Sequence, residues 1–214
     1  MDFAPRPLAF WSAELKGLSE QLLASHHANN YTGAVKRLNA IRAQLQALDF
    51  TSAPGFQVNG LKREELVATN SMLLHELYFG SLGGDGQTMV PGMALALETN
   101  FGSVDRWRSE FVAMGKALGG GSGWVLLTFL PRDGSLVNQW AADHTDAVAG
   151  GIPILALDMY EHAFTWTTAR RPPHMSMHSW ATSTGLRSTR AIRRPCMAPA
   201  SRSRRARTTW PRRR

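Results

Sequence analysis

Every acidic residue of this 214-residue chain lies before position 165, and that boundary limits what the chain can fold into. Residues 1–164 carry 16 Asp and Glu against 11 Lys and Arg, a balance of −5; residues 165–214 carry 13 Arg, no Lys and no acid, a balance of +13. Periodic apolar patterning ends at the same place. The first segment has the length and apolar content for a buried core. The second begins "TWTTARRPPHMSMHSWATSTG", is interrupted by prolines and shows no helical periodicity. A net charge of +8 spread evenly would point to a nucleic-acid or anionic-membrane partner. Here the basic character belongs to the tail alone.

Within the first segment, Leu15, Leu18 and Leu22, then Val35, Leu38, Ile41, Leu45 and Leu48, recur at three- and four-residue steps. That spacing predicts one long helix or two over 11–48, loosened near Gly33. "TSAPGFQVNG" reads as a connector, and a further helix over 61–82 ends at "GGDG". The first 85 residues or so therefore read as a helical hairpin. "MALALETNFGSVDRWRSEFVAMGKAL" predicts two more helices, the second opening at Ser103. After "GGGSG" come three short apolar runs, "WVLLTFL", "SLVNQWAADH" and "IPILALDMY", the pattern of a small antiparallel sheet. The expected fold class is α+β, with a helical domain over 1–87, an α/β domain over 88–164 and an Arg-rich tail over 165–214 expected to be disordered.

The single cysteine, Cys196, has no partner for an internal disulfide, and "MDFAPRPLAF" lacks the basic and apolar regions of a secretory signal. No apolar run approaches the roughly 18–20 residues needed to span a bilayer. A soluble protein of the reducing cytoplasm is expected.

Five of the seven histidines lie in the first 164 residues. His26 falls on the first predicted helix, His75 on the second, and His162 four residues after Asp158. Three imidazoles and a carboxylate suit a first-row transition metal, with a further position free for solvent or substrate. By spacing alone, each histidine reads as readily as a satisfied core residue, and Asp158 as a helix cap.

The flanking residues are more specific. "DMYEHAF" resembles the D-x-W-E-H-A-Y signature of the iron/manganese superoxide dismutases, with Tyr160 at the Trp position. "HHANNYTGAVKRLN" aligns without gaps on that family's H-H-x-x-H-H-x-x-Y-V-x-x-L-N helix, "HELYFGSLGG" matches its second ligand helix, and "GSGWVLL" its first strand. The segments keep the family's order across about residues 8–164.

The resemblance implies metal ligands at His26, His75, Asp158 and His162 for one iron or manganese ion per chain. It implies an N-terminal helical hairpin and a C-terminal α/β domain with a three-stranded antiparallel sheet, each giving two ligands. His144 would be the outer residue that hydrogen-bonds metal-bound solvent, and Trp124 would line the pocket. Glu161 would reach across a homodimer or tetramer interface. The implied substrate is superoxide, converted to dioxygen and hydrogen peroxide. The chain departs from the family pattern at Asn30 and Ala34, where a His and a gateway Tyr are usual. On a regular helix Tyr31 lies about 140° from His26 and replaces neither. Ser71 stands where iron-type members often have Gln. Asn30 and Ala34 leave open a noncatalytic metal-binding relative, and Trp166, Trp180 and Trp210 among the arginines a nucleic-acid-binding tail.

The tail has a second reading. Residues 164–185 can be encoded so that the same bases, read from a shifted frame, give HMDYGAKAAAYVDAFMGNIDW, an amphipathic helix resembling the family's continuation. The codons forced at Trp166, Met175, Met177 and Trp180 all fit. One added A in the Phe164 codon would also return the usual Tyr. Residues after Phe164 thus read as out of frame, leaving the C-terminal domain incomplete.

Overall fold

The computed structural model describes residues 2–163 apart from positions 11, 13, 14, 16, 17, 84–87 and 119–121. The Arg-rich tail over 165–214, with Cys196, lies outside the described residues.

The first helix begins later than its apolar spacing predicts, because Ser19 caps it: its hydroxyl accepts the Leu22 N–H at 3.2 Å. Helix α1 (Glu20–Ser25) runs into a π-helical turn, His26–Tyr31, and then α2 (Thr32–Ala47). The loosening is therefore ahead of Gly33. Helix α3 (Gly55–Ser81) starts inside the predicted connector. Pro54 and Gly55 are tolerated there because the N–H groups of a first turn need no intrahelical partner. The Pro54 carbonyl instead accepts from Gln57 and Val58.

Helices α4 (Pro91–Phe101) and α5 (Val104–Ala117) follow as expected. The Ser103 hydroxyl accepts the Arg106 N–H at 3.0 Å, and Gly102 between the helices takes a φ of 86°. Strands β1 (Trp124–Leu130), β2 (Ser135–Ala141) and β3 (Ile152–Asp158) form an antiparallel sheet in the order β2-β1-β3. The α+β expectation holds.

The sheet register positions the chemistry. Trp124, first residue of the central strand, pairs with Ala141 on one side and Asp158 on the other. Gly123 just before it has a φ of 141°, and a Cβ there would stand 2.3 Å from the Ala141 carbonyl oxygen, so only glycine fits. Its own carbonyl accepts the Met159 N–H at 3.0 Å, which fixes the chain as it leaves β3. Helix α3 packs against α2 and against β3, while α5 packs against β1 and β2. The core runs through all of them, from Leu22, Leu38 and Met72 to Phe111, Leu126 and Leu155.

Candidate metal centre

Four separate elements each bring one polar atom to the same buried point. His26 opens the π turn, His75 lies in α3, Asp158 ends β3, and His162 sits on a short 3-10 turn, Glu161–Ala163. One donor atom from each lies within 4.8 Å of all the others. His26, His75 and Asp158 are 2% exposed or less, and the His162 side chain is 32% exposed.

Local hydrogen bonds aim these atoms. The Nδ1–H of His75 donates to the Ser71 carbonyl at 2.7 Å, which leaves Nε2 with its lone pair free. Asp158 divides its two oxygens: Oδ1 accepts the Tyr160 N–H at 2.8 Å, and Oδ2 faces the imidazoles. The residue thus both caps the turn after β3 and contributes to the cluster. Asp158 Oδ2 stands 3.1 Å from His26 Nε2, 3.6 Å from His162 Nε2 and 3.7 Å from His75 Nε2.

These contacts are close, yet they are not hydrogen bonds. Six buried side-chain polar atoms among the described residues have no partner, and four of them are Nε2 of His26, His75 and His162 and Oδ2 of Asp158. Buried polar groups are rarely left unpaired. Two donors about 2.1 Å from a shared ion stand about 3.0 Å apart at a right angle and about 3.6 Å apart at 120°. The three Asp158 separations lie close to that range, and imidazole with carboxylate is a donor set that a divalent first-row metal accepts. The four residues fit a metal ion.

Burial holds the His75 imidazole down to about 4, against the pull of the Asp158 charge. Burial alone would raise the Asp158 carboxyl, but the His162 and His26 imidazoles outweigh it and keep the group well below the usual carboxylate range. His75 is therefore neutral and Asp158 ionised at pH 7. For the metal-free chain the sign follows from proton counting. Between about pH 6.5 and 4 the unfolded chain protonates His75 and the folded one does not, so stability falls as pH falls through that window. Asp158 adds a further loss below its ordinary value of 3.8. Thermal melts of the metal-free chain should show the midpoint dropping from pH 7 to pH 4.5, a trend that His75→Gln should flatten.

His144 approaches from the end of the sheet. The Trp124 indole N–H donates to His144 Nδ1 at 2.8 Å. An indole can only donate, so His144 Nδ1 accepts and the proton of the neutral ring lies on Nε2. Burial keeps this ring's pKa below its usual value. Asn70 holds the His144 carbonyl at 2.6 Å. The imidazole stacks on Tyr160 at 5.0 Å, and Tyr160 stacks on His162 at 5.4 Å. Trp124 is fully buried, with its ring 5.2 Å from that of His75. Glu161 is exposed beside His162.

The chain is 63% identical over 164 residues to an iron superoxide dismutase of Cupriavidus metallidurans, covering 77% of this chain and 83% of that protein. The chain belongs to the iron/manganese superoxide dismutase family. The family's C-terminal domain model matches residues 90–180. Similarity extends to an iron superoxide dismutase of Aquifex pyrophilus, 32% identical over 172 residues, 75% of this chain and 78% of that one. It also reaches manganese superoxide dismutase 1 of Haloferax volcanii, 31% identical over 172 residues, 76% and 81%.

Within this iron/manganese superoxide dismutase, one sequence expectation needs correction. Tyr31 does not point away from the cluster. The π turn replaces a regular bond with an i→i+5 one, Thr32 N–H to His27 carbonyl, which brings the fifth residue back toward the face of the first. Tyr31 is 1% exposed, and its ring centroid is 6.4 Å from that of His75. Asn30 is half-buried and Ala34 buried. Sequence reasoning also passed over Arg6 and Glu76, which meet Tyr31 across gaps of 25 and 45 residues that no local pattern signals.

Proposed function

We propose that this chain is a superoxide dismutase in which His26, His75, Asp158 and His162 hold one iron or manganese ion. The observation that carries the reading is the convergence of four buried, otherwise unpartnered donor atoms. Relatives named for iron and for manganese both align with the chain, and both ions accept this donor set.

A bound iron or manganese ion supplies one-electron redox chemistry, by which one superoxide is oxidised to dioxygen and a second is reduced and leaves with two protons as hydrogen peroxide. The protein's part is to hold three imidazoles and one carboxylate with their donor atoms bare and largely out of bulk water. His144, locked by Trp124 with its proton on Nε2, serves as the outer residue that holds a proton at the rim of the cluster. Trp124 also closes one wall of the pocket against His75.

The same reading places two ligands in each of two domains, divided near residue 87. It makes the protein a cytoplasmic homodimer or tetramer, with exposed Glu161 facing the partner subunit. Among the described residues no helix is long and apolar enough to cross a membrane. The tail after Phe164 is an out-of-frame continuation that leaves the C-terminal domain short. In support, residues 165–214 carry 13 Arg and no acid, whereas residues 1–164 carry all 16 Asp and Glu.

Metal analysis of the purified chain with a superoxide-dismutation assay tests the function. One iron or manganese per chain and metal-dependent dismutation are expected. Stoichiometric metal without dismutation would instead support the noncatalytic relative, which Asn30 and Ala34 favour.

A further inference from the structure

The π turn turns Tyr31 toward α3, and its hydroxyl makes a contact that ties together the two helices bearing His26 and His75. The Tyr31 hydroxyl donates to Glu76 Oε1 at 3.1 Å, and Glu76 directly follows His75. The Arg6 N–H donates to the same hydroxyl at 2.8 Å, and the Arg6 guanidinium pairs with Glu76 Oε2 at 2.9 Å. His27 Nε2 meets the Arg6 carbonyl at 2.8 Å. The N-terminal segment is thus fastened over this junction. Behind the polar contacts, Phe79 packs on the rings of His26 at 5.1 Å and His75 at 6.2 Å.

A π turn gives up regular α-helical bonding, and such turns cluster at functional sites. Here its structural consequence is the placement of Tyr31. We propose that the Tyr31–Glu76 hydrogen bond, closed by Arg6, is a positioning clamp that sets the separation of the His26 and His75 imidazoles for the metal. The inference rests on those two residues being ligands. Tyr31 and Glu76 act through His26 and His75 and do not touch the ion. The ion pair to Arg6 contributes less than the hydrogen bond, since the Arg6 side chain is 75% exposed and its charge is screened.

Titration of the full-length metal-free chain with Mn(II), following free Mn(II) by electron paramagnetic resonance, reads the clamp directly. Tyr31→Phe and Glu76→Leu should each weaken Mn(II) binding about tenfold, in the range seen when outer contacts of a ligand are lost. Their double variant should be no weaker than either single one, because both remove one interaction. Glu76→Gln keeps an acceptor for the Tyr31 hydroxyl and should stay within about twofold of the native chain. Ile41→Val, a core truncation in α2 beyond the clamp, should lower the melting temperature and leave Mn(II) affinity unchanged. Native affinity in Tyr31→Phe and Glu76→Leu, or an equal loss in Ile41→Val, would overturn the clamp while leaving the ligand assignment intact. A native chain that takes up no Mn(II) would overturn both.

Discussion

Replacing Asp158 with Ala should strip the chain of metal and of dismutation together. Its Oδ2 is the atom that all three imidazoles approach, at 3.1, 3.6 and 3.7 Å, and the only anionic donor in the cluster. Without it, three imidazoles are left to bind a cation in a buried site with no anionic donor. An affinity loss of at least about a hundredfold is expected, since even contacts one step removed from a ligand are worth 10–100-fold. Asp158→Asn separates the residue's two roles. Asparagine keeps an oxygen for the Tyr160 N–H that Oδ1 now accepts, yet it carries no charge. If Asp158→Asn holds metal as well as the native chain by elemental analysis, the residue is a cap and the ligand assignment fails.

The second large effect comes from the tail. On the out-of-frame reading proposed above, a chain that continues YHMDYGAKAAAYVDAFMGNIDW from position 164 should have higher stability, metal occupancy and specific activity. The restored segment carries Tyr, Val, Phe, Met, Ile and Trp at helical spacing, and each large apolar side chain fully buried contributes about 1.5–3 kcal/mol. Three such burials would raise the melting temperature by on the order of 10 °C in a domain of this size. Side-by-side thermal melts, metal analyses and dismutation assays of the two chains measure it. A restored chain that melts no higher and binds no more metal would show that the C-terminal change is unrelated to the fold. Gene sequencing is the direct check on the reading frame.

How far the site was legible depends on the range of the interaction. His26, His75, Asp158 and His162 stand in motifs that spell out donor type and order, so the cluster could be named before any coordinate. His144 and Trp124 entered as roles that the resemblance implies, and the structure joins them by the indole-to-imidazole hydrogen bond. The start of α3 was missed because Pro54 and Gly55 look alike in a loop and in a first helical turn. Tyr31 was misplaced for a stricter reason: angles counted along a regular helix assume a regular helix, and one i→i+5 bond shifts every angle counted across it.

Side-chain chemistry and periodicity, which are local, determined the α+β class, the three strands and the point at which patterned sequence ends, and the resemblance to the dismutase motifs named the four candidate donors. Tertiary structure decided what those donors can do. The free Nε2 of His75 depends on a carbonyl one turn back, the proton on His144 Nε2 depends on an indole 20 residues away, and the bare Oδ2 of Asp158 depends on the turn after β3. The Tyr31–Glu76 contact spans 45 residues. His75 and Asp158 are aimed by neighbours within one turn, once the helix and the turn have formed, whereas the His144 tautomer and the Tyr31 contact are set by partners that meet only in space.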